Sequence, residues 1–319
     1  MNILFLTSAH NSLSQRLLIE LTDRGHVVAV TLAASDAAML QSVAEQAPEL
    51  IIAPMLKTAI PEAIWANHTC LIVHPGIKGD SGASSLDWAI MTGEQEWGVT
   101  VLQAAAEMDA GPIWATRNFR LDGAPSKSSL YRQEVTEAAV AGVLEAVKKF
   151  QSRKFQPEPL DYAKADVRGQ LRPTMRQADR AIDWERDSTD AVLSKIAASD
   201  SAPGVLDTLR DEAYFLYGAH REGHLKGEPG RLLAQRNGAI CRATVDGAVW
   251  ITHLKAKDHG NWPGLKLPAV QALGRRAAGL PNYELPIDAV ADYPTYREIR
   301  YDEQDGVGYL HFDFYRALR

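Results

Sequence analysis

Two periods of hydrophobicity alternate along the first half of the chain. Apolar runs at residues 3–6, 27–32 and 50–53 have the length of buried strands. Between them the period is helical. Leu13, Leu17, Leu18 and Leu21 share one face of a helix that runs to Gly25, and Ser35 or Asp36 caps another. This β-α-β-α-β rhythm predicts an α/β fold with a doubly wound, mostly parallel sheet. A fourth run, 70–73, ends in His74, and Gly76, Gly79 and Gly82 follow. A helix is expected over 84–91, a strand over 97–102, a second strand over 111–119 after Asp109, and a helix over 127–150 capped by Ser126.

The second half has a different texture. Residues 151–175 are rich in proline and arginine (Pro157, Pro159, Arg168, Arg172, Pro173) and read as a linker. From 214 to 255, short β runs are punctuated by Asn237-Gly238 and Asp246-Gly247, which are hairpin signals and predict a small, partly open β-barrel. Residues 280–296 are proline-punctuated, and 301–315 read as strand, turn, strand.

At 319 residues the chain is long enough for two domains. The net charge of -6 is uneven: residues 1–150 carry 10 Lys+Arg against 16 Asp+Glu, and the remainder 24 against 24. An acidic first half disfavours a nucleic acid partner, which is held mainly through Lys/Arg contacts to phosphate. A small anionic ligand needs only a few arginines. The first ten residues are apolar but lack a basic n-region and a cleavage site, so they predict a strand, not a signal peptide. No run approaches the roughly 20 apolar residues of a membrane span. Cys70 and Cys241 lie in unrelated apolar runs with no metal-ligand spacing, and a reducing cytoplasm is the expected compartment. The absence of glycine after the first strand argues against a dinucleotide, whose pyrophosphate needs a G-x-G-x-x-G turn.

Candidate chemistry concentrates in residues 71–109. A buried strand that carries a histidine to its tip, followed by a loop without bulky side chains, is how open α/β sheets present reactive groups. Histidine moves a proton near neutral pH, and a carboxylate such as Asp109 can orient it and stabilise its charge. The plainer readings are a hydrogen-bonded structural histidine and an ordinary turn aspartate. Asn11, Gln15 and Arg16 lie in the first β-α turn and the start of its helix, on the same edge; they either bind an anion or cap and solvate that helix.

Four features in order, His74-Pro75, Trp88-Ala89-Ile90, Gly98-Val99-Thr100 and Asp109-Ala110-Gly111, resemble the formyltransferase family. Its members move a formyl group from formyl-tetrahydrofolate. Ile182-Asp183-Trp184 and Ala202-Pro203-Gly204 resemble the members that carry a C-terminal barrel, which implies an OB-like barrel here. The run from His74 to Ile90, the stretch 11–16 and the tail are similar to one subgroup, the HypX/HoxX hydrogenase-maturation proteins. Those join a formyltransferase-like half to an enoyl-CoA hydratase-like half. The resemblance implies a catalytic domain over 1–165, a linker helix and barrel over 166–280, and over 281–319 a linker with the start of a truncated hydratase-like segment.

The same resemblance implies roles. His74 shuttles a proton and Asp109 supports it. Met55, Leu56, Ile60, Gly76, Ile77, Gly79, Glu107 and Met108 surround the folate. Asn11, Gln15, Arg16, Asp80, Ser84 and Ser85 face the acceptor. Ile72 stands where the family has an asparagine that stabilises the oxyanion, a contact worth about 2.7–4 kcal/mol. Either a backbone N–H of the 76–82 loop substitutes, or the acceptor is a thiol, a strong nucleophile that needs less help. The subgroup implies coenzyme A as acceptor, formyl-CoA as product, carbon monoxide synthesis for a nickel-iron hydrogenase as purpose, and hydrogenase-maturation proteins as partners. Methionyl-tRNA or an amino sugar as acceptor, or a non-catalytic folate-binding remnant, are the rival readings.

The tail generates the first prediction. Gly308, Leu310, Phe312 and Phe314 alternate onto one face of a strand, and Tyr309, His311 and Asp313 onto the other. An uncovered apolar strand is a template for edge pairing. Unless this strand folds back on the barrel, the chain is expected to self-associate, and deletion of residues 300–319 to restore a monomer with formyl transfer retained. A monomer by light scattering for the full chain, with the tail protected from protease, would contradict this.

Overall fold

The computed structural model describes residues 1–122, 125–257, 264–286 and 292–312. The chain divides into two compact units, Met1–Ala89 with Gly93–Thr174, and Ile90–Thr92 with Met175–Arg319.

In the first unit, β1 (Asn2–Thr7), β2 (Val27–Leu32), β3 (Leu50–Met55), β4 (Cys70–His74), β5 (Glu96–Gln103) and β6 (Ile113–Arg120) form one sheet in the order β2-β1-β3-β4-β5-β6. β1 pairs in parallel with β2 and β3, and β3 with β4; β5 runs antiparallel to both β4 and β6. The short β5–β6 connection permits only the antiparallel pairing, because a parallel return needs a longer crossover. The doubly wound sheet expected from the hydrophobic rhythm is thus parallel through β4 and antiparallel at one edge.

Strand alternation divides the core. Leu4, Leu6, Ile51, Ala53 and Cys70 pack with Met39 and Val43 of α2 (Asp36–Gln46) and Ile64 of α3 (Glu62–Trp65), and Ile72 lies against this cluster. The opposite face receives α1 (Ser12–Thr22) and α6 (Glu134–Ser152). Between them in sequence come α4 (Ser85–Thr92) and α5 (Lys127–Arg132). The single helix expected over 127–150 is instead two, broken at Gln133, whose φ of -115° and ψ of -93° are not helical. There the Thr136 hydroxyl donates to the Tyr131 carbonyl at 2.6 Å, satisfying an acceptor near the break.

The second unit opens with α7 (Gln177–Arg180) and α8 (Thr189–Ala198), followed by β7 (Val205–Leu209), β8 (Glu212–Glu222), β9 (Leu232–Arg236), β10 (Ala239–Ala243), β11 (Ala248–Ala256) and β12 (Lys266–Pro268). The pairing path is β7-β8-β11-β10-β9, antiparallel throughout, with β12 added to β11. The β9–β10 turn uses Asn237 (φ 48°) and Gly238 (φ 81°), the pair of positive φ values a two-residue hairpin needs. Trp184 donates to Asp207 at 2.8 Å and stacks under Arg242, which reaches the same carboxylate at 2.5 Å. The expected terminal hairpin forms as β13 (Ile299–Gln304) and β14 (Val307–Phe312), a two-stranded sheet of its own. It leaves Tyr301, Val307, Leu310 and Phe312 half or more exposed. Asp313 and Phe314 lie outside the described residues.

The segment after α6, which its composition assigns to a linker, is packed within the first unit. Glu158 bridges Ile113, and Leu171 bridges Ser81. Gly169 N–H donates to Lys78, Ser81 N–H to Gln170, and Arg172 N–H to Ser81. Proline and arginine therefore mark a strap laid along the glycine loop, not a free tether: its backbone groups find partners in the loop instead of in water. Gly82 sits at φ +113°, and a Cβ there would lie 2.1 Å from the Arg172 carbonyl. Gly82→Ala is expected to destabilise the first unit by about 1–3 kcal/mol, read as a lower urea midpoint. An unchanged midpoint would mean that the strap moves aside freely.

Candidate functional site

β4 carries Cys70, Ile72 and His74 toward one face, and Pro75, which has no N–H for a ladder, ends the strand. The chain turns at once, with Gly76 N–H donating to the His74 carbonyl at 2.9 Å. Two side chains of β5 hold this turn. Trp97 Nε1 donates to the Pro75 carbonyl and the Thr100 hydroxyl to the Gly76 carbonyl, each at 2.9 Å. The Gly76 backbone lies so close to the ring that a Cβ would stand 2.4 Å from His74 Nε2. Only glycine fits there.

His74 is buried and faces two carboxylates. Its Nε2 lies 3.1 Å from Asp80 Oδ2 and its Nδ1 3.4 Å from Asp109 Oδ2. An ionised carboxylate only accepts, so a hydrogen bond to either requires the proton on the ring nitrogen that faces it. Asp109 occupies the left-handed region at φ 56° and also accepts from Gly82 N–H at 3.2 Å. Asp80 is fully buried, and Arg172 Nε donates to its second oxygen at 3.0 Å. Arg172 reaches Glu94 at 3.2 Å as well and lies over the Trp97 ring. The Ser85 hydroxyl, which donates to the Gly82 carbonyl at 2.8 Å, stands 3.4 Å from His74 Nε2.

Around this centre the loop is latched to the strap. Lys78 contacts Glu158 at 2.9 Å and Asp166 at 2.6 Å. Burial alone would lower the Lys78 pKa, but the hydrogen bonds to Asp166 and Glu158 more than offset it and hold it above its ordinary value. Hydrogen bonds from Lys164 and then Lys78 pull the Glu158 carboxyl down to about 2. Tyr162 donates to the Gly79 carbonyl at 3.2 Å, and burial, followed by the charges of Glu107 and Asp80, pushes its phenol up.

The residues singled out from sequence fall into three groups. His74, Gly76, Ile77, Gly79, Asp80, Ser84, Ser85 and Asp109 belong to the buried loop, its following helix start and the facing aspartate. Met55 ends β3, Leu56 is half-buried and Ile60 buried, while Glu107 and Met108 are exposed on the β5–β6 loop. Asn11 caps α1, accepting from Ser14 N–H at 2.8 Å, with its amide nitrogen 2.6 Å from Met55 Sδ. Gln15 and Arg16 are exposed, and Arg16 pairs with Glu20 at 2.8 Å. Arg172, Trp97 and Lys78 were not legible as site residues. Arg172 lies 92 residues from Asp80 in a stretch without periodicity, and its one signal was a cluster of arginines beside proline. Among the described residues no group of three or more His, Cys, Asp or Glu is arranged to hold a metal, and no helix is long and apolar enough to cross a membrane.

The chain matches known proteins over most of its length. Residues 29–147 match the formyl transferase family and residues 174–263 the formyl transferase C-terminal domain. The chain is 47% identical to the hydrogenase maturation factor HoxX of Bradyrhizobium diazoefficiens over 99% of its own length and 54% of that protein. It superposes with a TM-score of 0.91 on a crystal structure of HypX from Aquifex aeolicus in complex with tetrahydrofolic acid, at 44% identity, covering 98% of this chain and 54% of that one. The methionyl-tRNA formyltransferase of Thermotoga neapolitana is 26% identical over 65% of this chain and 66% of that protein. The chain thus spans about half the length of the HoxX and HypX relatives it matches.

Proposed function

Because the chain belongs to the formyltransferase family, we propose that it transfers a formyl group from formyl-tetrahydrofolate to coenzyme A, as a step in hydrogenase maturation. The observation that carries this is the buried His74 at the tip of β4 with Asp109 against its Nδ1. Leu56 and Ile72 extend the apolar face beside that tip, and Met108 is exposed next to Asp109, which suits a flat heteroaromatic ring at this edge. Formyl-tetrahydrofolate supplies the one-carbon group. His74 is placed to move the proton that the departing amine nitrogen takes up, and Asp109 orients the ring and balances its charge. The tetrahydrofolic acid named for the HypX structure and the maturation role in the name of HoxX support donor and purpose.

Ile72 supports the thiol acceptor. Its side chain packs against an apolar cluster and donates nothing to an oxyanion. Of the loop amides, those of Gly76, Asp80, Ser81 and Gly82 are already bonded within the first unit, which narrows the backbone donors left to replace an asparagine. A thiolate tolerates that loss better than an amine.

Mixing the chain with formyl-tetrahydrofolate and, in turn, coenzyme A, methionyl-tRNA and an amino sugar tests the reading through release of free tetrahydrofolate. Rapid release only with coenzyme A is expected; folate binding without release to any acceptor would indicate a binding remnant. His74→Ala should lower the rate by about 10²–10⁴-fold with folding intact. A folded variant within threefold of wild type would remove His74 from the chemistry. Asp109→Asn, which keeps shape and loses charge, should also depress turnover strongly with little change in folate affinity. Lost affinity with turnover per bound complex preserved would make Asp109 a binding residue instead.

A further inference from the structure

We propose that Asp80, fixed by Arg172, is a positioning residue that turns His74 so that its Nδ1 edge is the reactive one. The inference rests on the formyl-transfer reading and extends it. The two carboxylates that face the ring differ. Asp80 is fully buried and lies 3.1 Å from Nε2, whereas Asp109 keeps 12% of its side-chain surface exposed and lies 3.4 Å from Nδ1. The Nε2 side of the imidazole is therefore the more deeply buried of the two.

The Nε2 side is closely packed on every flank. Asp80 uses Oδ2 for His74 and Oδ1 for Arg172, so its carboxylate bridges the two groups, and its side chain is wholly shut off from solvent. Arg172 is itself held by Glu94 and the Trp97 ring. On the strap, Gly169 approaches so closely that a Cβ would stand 1.8 Å from Asp80 N, and Gly76 walls the other side of the Nε2–Oδ2 contact. A proton-transfer group works when a third group holds it in orientation. Asp109 does not serve that purpose alone, since a ring restrained at one nitrogen still pivots. With Nε2 held by Asp80, the pivot is lost and Nδ1 is kept on the less buried side, against Asp109. The strap, remote in sequence, thereby becomes part of what makes His74 competent.

The test combines ring spectroscopy with kinetics on the full chain. Histidine side chains are labelled with ¹⁵N, and the His74 ring resonances are identified by their loss in His74→Gln. Asp80→Asn should shift the Nε2 resonance and leave Nδ1 nearer its wild-type position. It should lower kcat roughly tenfold or more, short of the ~10²–10⁴-fold ascribed to His74 itself, with KM for formyl-tetrahydrofolate within about threefold. Asp80→Asn leaves Arg172 without its buried carboxylate, which threatens folding, so the pair Asp80→Asn with Arg172→Gln is measured as well. A positioning role predicts that the double variant is as slow as Asp80→Asn although better folded, and that Arg172→Gln alone is milder. An unshifted Nε2 resonance in Asp80→Asn, or wild-type kcat in the double variant, overturns the proposal. If the wild-type chain transfers no formyl group to any acceptor, the functional reading falls, and the Nε2 resonance alone then supports or overturns the contact.

Discussion

A buried imidazole between two carboxylates is the constraint around which the first unit is built. Each of these groups loses hydration on burial, a cost of several kcal/mol per ion unless partners replace the lost water. The partners are present. Arg172 answers Asp80, Gly82 N–H answers Asp109, and the ring nitrogens face one oxygen from each. The members share partners, so each contributes through the network: without His74, Asp80 keeps Arg172 and Asp109 keeps Gly82 N–H.

That network explains features that otherwise look unrelated. The loop after β4 carries little side-chain bulk at Gly76, Gly79 and Gly82 because the imidazole, the strap and Asp80 occupy the space. Trp97 and Thr100 hold the carbonyls of the first turn, which fixes where the loop leaves the sheet. The strap is latched by Lys78 to Glu158 and Asp166, and Lys164 joins Glu158. These outer pairs are partly exposed and individually weak; their effect is to keep Arg172 and Gly169 where Asp80 needs them.

His74 ends β4 against Asp109, and Ile72, two residues before it, packs against an apolar cluster at the same sheet edge. The terminal hairpin, with Tyr301, Val307, Leu310 and Phe312 exposed, stands in a chain that covers about half of its HoxX and HypX relatives.

What the sequence by itself determined is whatever short-range pattern encodes. The 2.0 and 3.6 periods placed β1 to β4 and α1 and α2, the Asn237-Gly238 pair marked a hairpin, and the run from His74 to Asp109 pointed to the family. Tertiary structure alone decided the rest. It broke the helix at Gln133, ran β5 antiparallel to β4, turned the proline-rich segment into a strap and carried Arg172 to Asp80 across 92 residues. It also left Arg16 in a local pair with Glu20, because an i,i+4 partner is always within reach. The division has one physical reason. Periodicity records which face of an element is buried, but which charge neutralises which is set by proximity in the folded chain, and a charge leaves no period in the sequence from which its distant partner can be read.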